Sequence, residues 1–157
     1  MDLDIQDVIN EAIVHELIIA DLYMIFYRIF PEDSDFWWAL LMEEKNHAAL
    51  IEGLRLSLTD IEDFPMNVIY EHHGMLVRMN KKIRELIQIY TSHPPSRDEA
   101  FRVALETELS PAENHFQSIM SNTYPDEMVK IVQQINRNDK NHALRIQIYM
   151  NEKGIQG

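Results

Sequence analysis

The sequence predicts an all-α protein in which two helical hairpins, joined by a long helical crossover, form an antiparallel four-helix bundle. Apolar residues recur at spacings of three and four along almost the whole chain, which is the periodicity of a helix. Four glycines and six prolines among 157 residues leave little room for a loop-rich or β-hairpin architecture. A chain of this length with 46% hydrophobic residues is expected to fold as one domain with a buried core.

The first hairpin is predicted over residues 4–58. Its first helix runs from about Asp4 to Phe30 and is stopped by Pro31, which cannot continue the backbone hydrogen bonding of a helix. Its second helix runs from about residue 35 to residue 58, and Asp33 or Ser34 is the expected cap, since short polar side chains accept from free amides there.

The crossover helix is predicted over residues 65–91 and the second hairpin over residues 96–152. His93, Pro94 and Pro95 separate the two segments, and Ser96 with Glu99 forms a capping-box signature for the fourth helix. Pro125 suits the first turn of the fifth helix. Pro111 lies inside the fourth helical pattern, so this helix is expected either to kink or to break and restart there.

A repeated tetrapeptide is the strongest functional signal. The string Lys-Asn-His-Ala occurs at 45–48 and again at 140–143, and an acidic residue lies three positions before each histidine. Glu44 therefore shares a helix face with His47, and Asp139 with His142. With 26 acidic residues and 7 histidines in the chain, about one such pair is expected by chance, and two are present.

Two further glutamates extend the pattern, because Glu16 and Glu108 lie in matched fragments upstream of the two copies. Each of these glutamates falls inside an apolar stripe. In each hairpin, the glutamate before the turn and the acid–histidine pair after it are separated from the turn by about the same number of residues. Buried carboxylates without a counter-charge are very costly, and two divalent cations would balance four of them. The predicted metal ligands are Glu16, Glu44, His47, Glu108, Asp139 and His142.

The six proposed ligands have an alternative interpretation, in which they pair in a satisfied polar network or lie on solvated faces. The other polar residues are interpreted as structural. Three glutamates beside the stripes are expected to be solvated: Glu11, Glu43 and Glu106. Four histidines are expected to pack or hydrogen-bond: His15, His72, His73 and His115. Tyr23 and Tyr149 lie two turns from proposed ligands, and core packing is favoured over a hydrogen bond to the site.

Composition narrows the classes of function. A net charge of −12 argues against binding to nucleic acid or to an anionic membrane surface. The absence of cysteine removes disulfides and thiolate ligands, so nitrogen and oxygen ligands remain, which suit iron, manganese or zinc. The acidic N-terminus lacks signal-peptide features, and no apolar run reaches membrane-spanning length, which favours a cytoplasmic protein.

These residues resemble the ferritin-like superfamily and, within it, the rubrerythrin-type di-iron carboxylate domains. In that group a glutamate from the first helix of each hairpin combines with two Glu-x-x-His pairs to hold two metals. Glu16, the pair Glu44 and His47, and Glu108 match residue by residue, and Tyr23 follows Glu16 by seven positions as is frequent in rubrerythrins. Asp139 stands where the family has glutamate, Pro111 where rubrerythrins carry a further carboxylate, and no rubredoxin module is present.

The resemblance implies a di-iron protein that oxidises Fe²⁺ or reduces O₂ or peroxide, with electrons supplied by an external donor. By analogy, Glu44 and Glu108 are the candidate bridging carboxylates, while Glu16 and Asp139 are terminal. Two alternatives stay open: a non-enzymatic iron-handling bundle, and a structural interaction bundle without metal. Trp37 and Trp38 at the start of a helix suggest a homodimer.

Overall fold

A computed structural model of the chain describes residues 3–59, 66–110 and 141–157, with residues 54, 56–59 and 66–69 described by their backbone alone. Within these ranges all regular secondary structure is helical, as the apolar periodicity predicts. None of the helices in these ranges is long and apolar enough to cross a bilayer.

The first two long helices form a hairpin. Helix α1 spans Ile5–Ile29 and begins with a capping box, in which Asp4 accepts from the amide of Asp7 while the carboxylate of Asp7 accepts from the amide of Asp4. A 3₁₀ turn, Pro31–Asp33, leads directly into α2, Ser34–Thr59. Because this connection is so short, α1 and α2 pack side by side in opposite directions.

Helix α3 spans Met66–Ser92 and packs along α1. The amide of Asn80 donates to Glu11 near the start of α1, and the ring of Tyr90 contacts that of Phe26 near its end. The two helices therefore run in the same direction, and α3 returns the chain to the end of the molecule where the α1–α2 turn lies.

Helix α4 spans Arg97–Glu108 and begins at the predicted cap, since the Ser96 hydroxyl accepts from the amide of Glu99. The Glu99 carboxylate accepts a hydrogen bond from Tyr90. Helix α4 ends at Glu108, and the turn at residues 109–110 precedes Pro111. The predicted continuation through Ala112, His115 and Ile119 and the helix start near Pro125 lie outside the described residues.

Residues 141–153 are helical and are called α5 here; Gly154 ends this helix with a φ of 67°, a left-handed conformation that glycine adopts readily. His142 lies beside Glu43 of α2, whereas Tyr149 reaches Asp33 at the α1–α2 turn. Helix α5 therefore runs toward that turn.

One aromatic cluster joins the helices. Trp37 of α2 is fully buried and lies 4.9 Å from Phe26 and 4.5 Å from Phe101 between ring centroids. Phe36 stacks on Tyr149 at 4.1 Å, which attaches α5 to the same cluster. Each fully buried large apolar side chain stabilises the fold by about 1.5–3 kcal/mol relative to an exposed one. The cluster thus fixes how α1, α2, α4 and α5 lie against one another.

Candidate metal centre

Five of the six predicted ligands come together next to this aromatic cluster. Glu16 comes from α1, Glu44 and His47 from α2, Glu108 from the last residue of α4, and His142 from α5. Each is at most 6% exposed. The sixth predicted ligand, Asp139, lies outside the described residues, as does His115.

The first group of ligand atoms consists of Glu16, Glu44 and His47. The Nδ1 atom of His47 lies 3.3 Å from Oε2 of Glu44 and 3.5 Å from Oε2 of Glu16. The helical spacing of three places Glu44 and His47 on one face of α2, as the sequence predicts, and α1 supplies the opposing carboxylate.

The second group consists of Glu44, Glu108 and His142. Here Nδ1 of His142 lies 2.9 Å from Oε1 of Glu44 and 3.5 Å from Oε2 of Glu108. Glu44 therefore belongs to both groups and directs one carboxylate oxygen toward each histidine. The two imidazole rings are nearly parallel, with centroids 5.4 Å apart.

Three of these atoms are buried and make no hydrogen bond of good geometry to any described residue, although Nδ1 of His142 and Oε1 of Glu44 lie only 2.9 Å apart. They are Oε2 of Glu16, Oε1 of Glu44 and Nδ1 of His142. Buried polar atoms are normally hydrogen-bonded, because leaving them unsatisfied costs free energy. Nitrogen and oxygen ligands lie about 2.0–2.2 Å from an ion such as Zn²⁺, so two ligands of one ion are up to about 4 Å apart. The separations of 2.9–3.5 Å fit shared coordination.

Burial and mutual proximity shift the ionisation of the site. Burial raises the pKa of Glu16 to about 7, with the neighbouring charge of Glu44 adding to the rise and His47 opposing it. Burial by itself lowers the pKa of His47, but Glu16 and Glu44 outweigh it and raise that pKa to about 11. The pKa of His142 is raised in the same way by Glu108, Glu43 and Glu44 against the effect of burial.

Glu43 is a site residue that the sequence analysis missed, and its predicted solvation is wrong. Its Oε2 accepts a hydrogen bond from Nε2 of His142 at 2.7 Å, and Nη1 of Arg145 lies 2.7 and 2.9 Å from its two carboxylate oxygens. These contacts, the one to His142 above all, lower the pKa of Glu43 to about 2, although burial opposes them. Glu43 lies one residue off the apolar stripe, so helical periodicity by itself could not select it.

Tyr23 combines the two roles that the sequence left open. Its ring is fully buried in the aromatic cluster, and its hydroxyl donates a short hydrogen bond to Oε1 of Glu108. This contact orients the glutamate at the end of α4, three residues before Pro111. Tyr149 instead donates to Asp33 at 2.7 Å, far from the ligand groups.

The remaining polar predictions concern structural roles. His15 is buried, and its Nδ1 lies 2.7 Å from Oδ1 of Asn80, so the prediction of a hydrogen-bonded histidine is confirmed. Glu11 is half-buried and accepts from the Asn80 amide at 2.8 Å, so its predicted solvation is wrong. Glu106 is exposed and pairs with Arg102 at 2.9 Å.

Comparison of the chain with protein-family models, with curated proteins and with solved structures finds no match.

Proposed function

We propose that this protein binds two metal ions in the buried Glu/His centre and acts as a di-iron carboxylate oxidoreductase, either oxidising Fe²⁺ or reducing O₂ or peroxide. The observation that carries the proposal is the position of Glu44, whose two carboxylate oxygens face two different histidines. A carboxylate shared in this way is suited to bridge two ions, and carboxylate ligands with one histidine per ion suit iron, manganese or zinc.

The negative charge of the buried glutamates supports the binding of two cations. Three glutamates lie within the two ligand groups, and each is at most 6% exposed. Two protonated histidines balance at most two of these three charges, and the contacts of 3.3 and 3.5 Å from His47 to Glu44 and Glu16 are long for charge-assisted hydrogen bonds. Divalent cations would neutralise the carboxylates and use the unsatisfied ligand atoms together.

The helix arrangement supports a ferritin-like bundle as the scaffold. In this proposal α1 with α2 and α4 with α5 are the two hairpins, and α3 is the crossover that lies along α1. Each of the four bundle helices contributes at least one residue to the two ligand groups. A rubrerythrin-type relationship is consistent with this origin of the ligands.

Within this function, the chain's own groups have distinct roles. Glu16 and His47 would hold one ion, Glu108 and His142 the other, and Glu44 would bridge them. A pair of iron ions, when bound, supplies two-electron redox chemistry. Tyr23 would keep the Glu108 carboxylate oriented, and the aromatic cluster beside it would exclude water from that side of the centre. Electrons for repeated turnover would come from a separate donor protein.

A second candidate function is metal binding or iron handling without turnover. The burial of all five described ligands favours it, because a site closed to solvent holds its ion well but admits substrates slowly. The ligands required are the same for both functions. Catalytic turnover, rather than metal content, therefore separates them.

The test is metal stoichiometry followed by oxidation kinetics. The protein is loaded with Fe²⁺ under anaerobic conditions, bound iron is counted per chain, and O₂ or peroxide is then added while Fe³⁺ formation and oxidant consumption are followed. Two irons per chain with multiple turnovers in the presence of a reductant are expected. Two irons without turnover would favour iron handling, and no bound metal would refute both candidates and leave a structural bundle.

Variants of Glu44 and His47 sharpen this test. Glu44→Ala is expected to abolish binding of both ions, because Glu44 belongs to both ligand groups. His47→Ala is expected to abolish binding of at least one ion, because His47 belongs to one group. Glu106→Ala is the matched control, since Glu106 is an exposed glutamate of α4 that pairs with Arg102. Unchanged stoichiometry in both site variants would contradict the ligand assignment.

A further inference from the structure

We propose that the aromatic cluster conducts single electrons from the protein surface at the α1–α2 turn to the metal centre, through Tyr149, Trp37 and Tyr23 in that order. We call these three side chains the electron path. The inference rests on the proposed function and deepens it, because it names the route by which electrons from an external donor reach the centre. It also places the contact with that donor at the turn.

The inner end of the electron path touches the metal centre. The Tyr23 hydroxyl donates a short hydrogen bond to Oε1 of Glu108, whose Oε2 lies 3.5 Å from Nδ1 of His142. The rings of Tyr23 and Trp37 are fully buried, with centroids 5.6 Å apart. Tyrosine and tryptophan are the aromatic side chains that a strong oxidant oxidises by one electron. An oxidising equivalent formed at the centre therefore meets Tyr23 first and Trp37 next.

The outer end of the electron path reaches the surface through two phenylalanines that bridge Trp37 and Tyr149. The Phe36 ring lies 5.4 Å from that of Trp37 and 4.1 Å from that of Tyr149. The Phe101 ring lies 4.5 and 5.5 Å from the same two rings. Tyr149 is half-buried, and Nζ of the exposed Lys153 lies 5.6 Å from its ring centroid. Because electron tunnelling falls off steeply with distance, unbroken ring contact as far as the surface favours transfer along this route.

The hydrogen-bond partners allow both tyrosines to be oxidised while the proton stays in the protein. A tyrosine that loses an electron becomes strongly acidic, so its phenolic proton needs an acceptor within hydrogen-bond reach. Tyr23 has the Glu108 carboxylate, and Tyr149 donates to Asp33 at 2.7 Å. The indole Nε1 of Trp37 makes no hydrogen bond to a described residue, so Trp37 passes an electron and keeps its proton.

One electron and no net proton pass along the electron path in each transfer. An oxidising equivalent from peroxide reduction takes an electron from Tyr23, whose proton moves to Glu108. Trp37 returns an electron to Tyr23, and that proton moves back. Tyr149 then reduces the oxidised indole while its proton moves to Asp33, and a one-electron donor at the surface restores Tyr149, which recovers the proton. Two such transfers, with two protons from solvent, reduce one peroxide to two waters.

The experiment generates an oxidant at the outer end of the electron path and detects the radical at the inner end, in the full-length metal-free protein. The chain has no cysteine, so Glu32→Cys, at an exposed position of the turn, provides a single attachment point for a ruthenium tris-bipyridine photo-oxidant. After flash-quench oxidation and rapid freezing, the EPR spectrum is expected to contain tyrosyl components from Tyr149 and Tyr23. Tyr23→Phe identifies the inner component by removing it. Trp37→Phe is expected to remove the same component and to leave that of Tyr149.

The matched control is Trp38→Phe, because Trp38 is the neighbouring tryptophan of α2, is 47% exposed and packs on Tyr27. It is expected to leave both radical components unchanged. Tyr149→Phe removes only a hydroxyl group and keeps the ring, so it serves as a second test if Trp37→Phe fails to fold. It is expected to lose the Tyr149 and the Tyr23 components together.

Peroxide tests whether the electron path is connected to the metal centre. The iron-loaded protein is mixed with peroxide in the absence of a reductant and frozen for EPR. A tyrosyl radical that Tyr149→Phe removes is expected, and added ascorbate should quench it. Oxidation of ascorbate by peroxide should be slower in Tyr149→Phe than in the unsubstituted protein, with the same iron content in both.

The outcomes distinguish failure of the inference from failure of the proposed function. If the photo-oxidised protein shows no Tyr23 component, or keeps it at the same yield in Trp37→Phe, the inference alone is overturned. It is also overturned alone if the iron-loaded protein reduces peroxide without forming the Tyr149 radical. If no iron binds, the proposed function fails and the inference with it. Loss of the Tyr23 component in Trp37→Phe, together with the Tyr149 radical after peroxide, supports the electron path.

Discussion

The turn and the middle of the helical hairpin bury acidic groups in contrasting ways. At the turn, Asp33 is fully buried and accepts two hydrogen bonds from Arg97, at 2.7 and 2.8 Å, and one from Tyr149 at 2.7 Å. Near the middle of the hairpin, the centre holds Glu16 and Glu44 with N···O contacts to His47 of 3.3–3.5 Å. Several oxygen and nitrogen atoms there make no hydrogen bond within the described part of the chain.

This difference distinguishes buried carboxylates that stabilise the fold from buried carboxylates that can bind cations. A buried carboxylate whose oxygens are both paired at short distance is complete within the protein, and it ties helices together. A group of buried carboxylates and imidazoles that converge with incomplete pairing costs stability unless something else is bound. The turn therefore serves the fold, whereas the centre in the middle of the hairpin is suited to hold cations.

The largest expected effect on the metal-free protein comes from Asp33. Asp33→Ala leaves Arg97 and Tyr149 without their acceptor and is expected to lower the free energy of unfolding by about 3 kcal/mol, the lower part of the range for a broken buried pair, because Arg97 is partly exposed. Urea unfolding of the metal-free protein measures it, with Asp21→Ala as an exposed control. Metal stoichiometry of the folded variant should be unchanged; a loss of metal binding would contradict the separation of the turn from the metal centre.

Metal loading is expected to stabilise the protein only through the Glu/His centre. At Zn²⁺ concentrations 100 times the dissociation constant, each bound ion should raise the free energy of unfolding by about 2.7 kcal/mol. Glu44→Gln should abolish this increase, because it removes the carboxylate shared by both ligand groups, while Glu106→Gln should retain it. Thermal melting with and without chelator measures the effect, and equal stabilisation of all three proteins would place the ions elsewhere.

The pH dependence of stability should report on the turn end. Arg97 and Tyr149 hold the pKa of Asp33 below its ordinary value of 3.8 despite burial, so its contribution is present above pH 3.8 and is lost as the pH falls further. Burial and Asp33 raise the pKa of Tyr149 from 10 to about 12, so its contribution is present below pH 10 and is lost between pH 10 and 12.

Urea unfolding of the metal-free protein from pH 2 to 12 checks both limits. Asp33→Asn should flatten the acidic limb, and Tyr149→Phe should reduce the alkaline slope. If neither variant changes the curve, the turn-end groups do not titrate as the geometry implies.

The smallest expected effects come from two tyrosine hydroxyls. Tyr149→Phe and Tyr23→Phe each remove a hydrogen bond to a carboxylate and should cost about 1.5 kcal/mol in the metal-free protein. Only Tyr23→Phe should also weaken metal binding, because its acceptor Glu108 belongs to a ligand group. Urea unfolding and Co²⁺ titration of the two variants separate these effects. Weaker metal binding by Tyr149→Phe would contradict the separation of the turn from the metal centre.

The sequence by itself determined the helical class and most of the residues that converge. Helical periodicity places Glu44 and His47 on one face whatever packs against them, since the turn of a helix is a local property. The repeat then pointed to His142, and the apolar stripes to Glu16 and Glu108. These predictions needed only spacing within single helices.

Only the tertiary structure decided which helices meet and at what depth. Asp33 reaches Arg97 and Tyr149, which lie 64 and 116 positions further along the chain, and no local pattern encodes that contact. Glu43 lies beside its stripe, and its partner His142 comes from another helix. Because such contacts depend on side-chain packing between helices rather than on the backbone period of one helix, the sequence left them open.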